Sequence, residues 1–146
     1  MRASAVAFLV CAILPQALTA QVDRTDSIPV ETPVATMSEL MIRILYPASD
    51  AIFYIETRVP SDNGEWGELE AKALMLAESA NLLMMPSRAR GDQWMRDALL
   101  LREAGEAAYH AARNRDVEAL AGLNDQLYQS CVSCHVNFRP DYGRRP

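Results

Sequence analysis

Positive charge is scarce in this chain: 14 basic residues face 19 acidic ones across 146 residues, a net charge of −5. A phosphate backbone selects clustered Lys and Arg, so this balance argues against a nucleic-acid partner. Lysine is nearly missing, with Lys72 alone beside 13 arginines. That bias follows genome base composition and carries no functional weight. The length leaves room for one compact domain and none for two lobes around a cleft. No strand alternation, internal repeat or low-complexity tract occurs. Cysteine is limited to Cys11, Cys131 and Cys134.

The first residues read as an export signal. Arg2 precedes an uncharged apolar stretch, Ala3 to Leu14, followed by Pro15-Gln16 and the small-residue run Ala17-Leu18-Thr19-Ala20, with cleavage expected after Ala20. The stretch is shorter than the roughly 20 apolar residues of a membrane span, which argues against stable insertion, with an uncleaved anchor as the alternative. Cys11 leaves with the signal. Cleavage also removes Arg2, so the mature chain from Gln21 carries 13 basic and 19 acidic residues, a net charge of −6. Residues 21–35, with Pro29 and Pro33 and no apolar period, read as an extended leader.

From residue 36 onward the pattern is helical. Thr36 and Glu39 form a capping box, and Met37, Met41, Ile44, Ala48, Ala51 and Ile55 step by three and four, predicting a first helix that ends before Pro60. Pro47 lacks the N–H that would bond the Arg43 carbonyl, so a kink or local break is expected there. After the turn cluster Ser61-Asp62-Asn63-Gly64, the stripe Trp66, Leu69, Ala73, Leu76, Ala80, Leu83 predicts a second helix up to Pro86. Asp92 is placed to cap a third, with Trp94, Ala98, Leu101, Gly105, Ala108 and Ala112 on one face and Asn114-Arg115 at its end. Gly105 in that stripe suits a close helix approach. Asp116 caps a fourth, carrying Val117, Leu120, Leu123, Leu127, Cys131 and Cys134 and ending near Pro140. Four helices with short connections imply an all-α, up-down-up-down antiparallel four-helix bundle over residues 36–146.

The segment Cys131-Val132-Ser133-Cys134-His135 carries the chemistry. Cysteines at i and i+3 share a helix face, so both sulfurs can form thioethers with the two vinyl groups of one porphyrin while His135 ligates the iron. A zinc half-site is the first alternative, but zinc wants four ligands and only His110 remains to add. A redox dithiol wants a strand–helix context that is absent. An incidental pair of cysteines is the third alternative. Export favours covalent haem, which is attached on the far side of the membrane.

This motif near the C-terminus of an exported helical chain, followed by Val136-Asn137-Phe138-Arg139, resembles the class II cytochromes c, the cytochrome c′ and c556 group. The resemblance covers about residues 36 to 140. The motif is shared by all c-type cytochromes, so its position and the helix count carry the subclass. The class I pattern has an N-terminal motif and a downstream Met ligand, whereas no Met follows His135 here.

The bundle topology brings the start of helix 1, with Met37 and Met41, to the haem end. The end of helix 2, with Leu83, Met84 and Met85, and the start of helix 3, with Trp94 and Met95, also approach it. His110 lies 16 residues past Trp94, roughly 24 Å along a helix, and reads as a surface histidine. The resemblance implies a helix 1 Met as distal ligand in c556-like members and an apolar residue over an open iron in c′-like ones. Met41 is the expected sixth ligand, one turn deeper than Met37, and core packing of both is the alternative. Arg139 is a candidate partner for a haem propionate, or a solvated helix end. The expected function is therefore a non-enzymatic periplasmic one-electron carrier; a five-coordinate NO- or CO-binding protein is the second reading. A peroxidase-like enzyme lacks a distal His or Arg pair. An acidic surface suits redox partners with basic docking patches. Relatives of the c′ kind are often homodimers, which leaves a homodimer open.

Overall fold

The structure is a computed structural model that describes residues 31–139 and 141. The expected signal, residues 1–20, and most of the leader lie outside the described residues. Within them the chain is all helical: α1 (Met37–Leu40), a π-helical turn (Met41–Leu45), α2 (Tyr46–Phe53), α3 (Asn63–Met84), α4 (Asp92–Arg113), α5 (Val117–Gly122) and α6 (Asn124–Phe138). They form four helical arms packed together: α1 through α2, then α3, then α4, then α5 with α6. No helix among the described residues is long and apolar enough to cross a membrane.

Local chemistry sets the starts. The Thr36 Oγ1 accepts from the Glu39 N–H at 3.2 Å, and the Glu39 carboxylate accepts from the Thr36 N–H at 3.0 Å, the reciprocal box expected there. Those bonds hold the Glu39 carboxyl below its usual pKa. The cap therefore contributes at neutral pH and weakens as acid protonates Glu39. Asp116 accepts from Ala119 N–H at 2.9 Å and caps α5. α3 begins three residues earlier than Trp66, because Asp62 accepts from the Glu65 N–H at 2.9 Å and caps it from inside the turn cluster. At α4 the cap is Gly91, with φ of 92°, and Asp92 is the first helical residue. A positive φ suits the one residue without a β-carbon.

The first arm departs most from its expected form. The arm ends before Pro60 as expected, but already at Phe53, short of the stripe residue Ile55, and the segment ahead of Pro47 widens so that the Tyr46 N–H bonds the Met41 carbonyl five residues back. The i→i+5 turn accommodates the proline ring and the bond it cannot make, without breaking the arm. It also changes which residues are inside. Leu40 and Leu45 are both buried, although five residues of α-helix would place them about 140° apart. Of the predicted stripe only Ala48 and Ile55 are buried, while Met37, Met41, Ile44 and Ala51 are half-buried against the core.

The other stripes hold their phase. Leu69, Ala73, Leu76, Ala80 and Leu83 of α3 face Trp94, Ala98, Leu101, Ala108 and Ala112 of α4 across the core, with Trp66 half-buried. A β-carbon on Gly105 would stand 2.6 Å from the Ala77 backbone nitrogen, so only glycine allows this approach. Further along, Glu70 pairs with Arg113 and Asn63 with Arg115. The predicted fourth helix is divided at Leu123, where Asn124 Nδ2 reaches the Phe53 carbonyl at 3.4 Å. Leu120, Leu127 and Ser130 are its buried residues.

Candidate functional site

Two neighbouring cavities open where α6, the first arm and α4 meet. The smaller, about 390 Å³, is lined by Met37, Met41, Trp94, His135 and Phe138 among others. The larger, about 590 Å³, includes Met41, Leu45, Leu101, Cys131, Cys134 and His135. Five residues border both: Met41, Ile42, Cys134, His135 and Arg139. The fold thus gathers every residue singled out for the site, with Cys131 on the larger cavity and Met37 on the smaller. Leu83 lines the larger cavity and Trp94 the smaller. Met84, Met85 and Met95 line neither. His110 is exposed on α4 and lies beside a separate pocket with Tyr109.

Trp94 shapes the floor of this region. It is 2% exposed, its Nε1 donates to the Leu83 carbonyl at 2.7 Å, and its ring meets the edge of Phe138 at 5.0 Å between centroids. The helix that carries the cysteines is thereby seated against α4 through an aromatic just beyond the motif. Cys131 and Cys134 are both free thiols and half-buried.

Burial decides the ionisation of the motif. It raises the Cys131 thiol, against a smaller lowering by the Ser130 hydroxyl. Burial, then the Asp97 carboxylate and Cys131, push Cys134 up to about 11, with Arg90 opposing. Catalytic dithiols need a lowered thiol pKa, so these cysteines are poor redox nucleophiles. His135 is lowered, first by burial and then by Arg139. A lowered pKa keeps the imidazole neutral, the form with a lone pair for a metal.

Sequence reasoning missed Asp97. It is 1% exposed and lines the larger cavity, with Oδ1 accepting from Ser133 Oγ at 2.5 Å and from Gln93 Nε2 at 2.9 Å. The signal was present: Asp97 stands three residues after Trp94 and four before Leu101, a carboxylate on an apolar stripe. Tyr46, Ser49 and Phe53 on the larger cavity were also missed, because the π turn rotates this face of the first arm out of α-helical phase.

Among the described residues, no three His, Cys, Asp or Glu side chains cluster as a metal site of their own. A porphyrin iron asks less of the protein, only axial donors and an apolar slot. The residues present fit such a group: two thiols at i and i+3 on one cavity, an adjacent neutral imidazole, and walls of Leu, Ile, Met and aromatic side chains. Comparison with family models, curated proteins and solved structures finds no match for this chain.

Proposed function

We propose that the protein is a c-type cytochrome of the class II kind, exported to the periplasm, with one haem c bound through Cys131 and Cys134 and acting as a one-electron carrier. The observation that carries the reading is the convergence of Met41, Cys134, His135 and Arg139 on the border shared by both cavities. An up-down-up-down antiparallel bundle accounts for it. The pairs Leu83 with Trp94, Ala77 with Gly105 and Glu70 with Arg113 run in opposite senses along α3 and α4, as that topology requires.

In this reading His135 and Met41 would hold the iron, and Arg139 at the shared border would pair with a propionate. Haem, when bound, supplies reversible one-electron exchange. The chain's own residues do the rest: Trp94 and Phe138 exclude water, burial holds His135 neutral, and the Cys131 and Cys134 thiols would anchor the group by adding their S–H across its two vinyl groups as thioethers. The acidic surface favours redox partners with basic patches.

Denaturing gels stained for haem test the attachment. The mature protein stains, the Cys131→Ala, Cys134→Ala double variant loses the stain, and full staining of that variant overturns the assignment. Mass spectrometry of periplasmic material tests export. The expected mass begins at Gln21; an intact Met1 in the membrane fraction means an anchor.

A further inference from the structure

The larger cavity holds a carboxylate that electron transfer through His135 and Met41 does not use. Two donors, Ser133 and Gln93, satisfy Asp97 Oδ1, while Oδ2 is buried with no hydrogen-bond partner. A fold retains a buried, half-satisfied carboxylate at a cost, so its position calls for a compensating role. Ser133 lies between the two cysteines, and its bond ties the carboxylate to the segment that binds the cofactor. Two cations are also near: Arg90 acts on Cys134 and Arg139 on His135. Both are exposed, where water and salt screen them, whereas Asp97 is 1% exposed and is screened much less.

We infer that Asp97, buried on the wall of the larger cavity and bonded by Ser133, lowers the reduction potential of haem held at Cys131, Cys134 and His135. The inference rests on the haem reading above. Negative charge in a poorly screened interior stabilises the more positive, oxidised iron and so lowers the potential. In Asp97→Asn the amide oxygen keeps both donors and the charge is gone. In Ser133→Ala the charge stays with one donor fewer.

Spectroelectrochemistry of the purified holoprotein with a one-electron mediator at fixed pH separates these. Poised at the wild-type midpoint, Asp97→Asn shifts the reduced-to-oxidised ratio upward about tenfold, or 59 mV for one electron. Ser133→Ala shifts it downward. A role as a mere tether between α4 and α6 leaves Asp97→Asn, which keeps the bond from Ser133, near the wild-type ratio and moves only Ser133→Ala. A change under about twofold in Asp97→Asn, a fall, or a parallel shift in Ser133→Ala overturns the inference. If Asp97→Asn does not accumulate, Ser133→Ala decides: a fall supports the fixed charge, and a rise or no change refutes it. Haem staining of the wild type comes first. A chain without haem ends both readings, whereas stained protein with unmoved potentials ends this one alone.

Discussion

If haem is held as proposed, Met41→Ala is expected to convert the oxidised protein from low to high spin, remove the sulfur-to-iron charge-transfer band and lower the reduction potential, because a thioether donor would favour the ferrous state. The same change opens the iron to CO. If Met41 is bound about 99% of the time, removing it raises CO affinity about 100-fold, since only the unliganded fraction competes. Met37→Ala does much less, for Met41 borders both cavities and Met37 only the smaller. Optical and spin-state spectra with CO titration check this. A wild type that is already high spin and binds CO readily moves the protein to the gas-binding reading. The same changes in Met37→Ala alone keep electron transfer and place the ligand one turn nearer the helix start.

Trp94→Ala has the largest expected effect on stability. The indole is buried, bonds the Leu83 carbonyl at 2.7 Å and meets Phe138 edge-on. Truncation costs about 3–5 kcal/mol from lost burial and the cavity left behind, and stranding the Leu83 carbonyl adds about 1–3 kcal/mol if water does not reach it. Thermal unfolding by circular dichroism is expected to drop by about 10–20 °C. Trp94→Phe keeps most of the ring and loses the N–H, so it falls by a third or less of that. Trp66→Ala, at a half-buried position, is a control with a smaller effect. Equal losses at Trp94 and Trp66 refute the view that Trp94 seats α6 on α4.

These two residues differ in how visible their roles are from sequence. Trp94 opens a regular stripe, and its burial follows from spacing alone. Met41 is legible as a helix 1 residue near the start, but its place on both cavities depends on the turn that follows it. The kink or local break expected at Pro47 takes the form of a π turn upstream of the proline, and it exchanges Met41 and Ile44 for Leu40 and Leu45 in the core. The divided fourth helix has a similar origin: Asn124 reaches across to the Phe53 carbonyl, a contact that no periodicity within one helix reports.

Caps, apolar stripes and the CxxCH spacing are local, each set by a few neighbouring residues and the geometry of a single helix. For that reason Thr36, Asp116 and the shared face of Cys131 and Cys134 were determined by sequence alone, whereas the approach of Gly105 to the Ala77 backbone exists only in the packed pair of helices. The phase of the first arm was decided only in the folded molecule, because a missing N–H at Pro47 can be absorbed by a kink, a break or a wider turn. The arm packs on α3, with α5 and α6 beside it, and that surface selects among them. Asp97 belongs to the same class: its own helix places it on the apolar face, but whether that face meets water, a hydroxyl or a cavity depends on the partner. Here α6 brings Ser133 to one carboxylate oxygen and leaves the other buried beside the site.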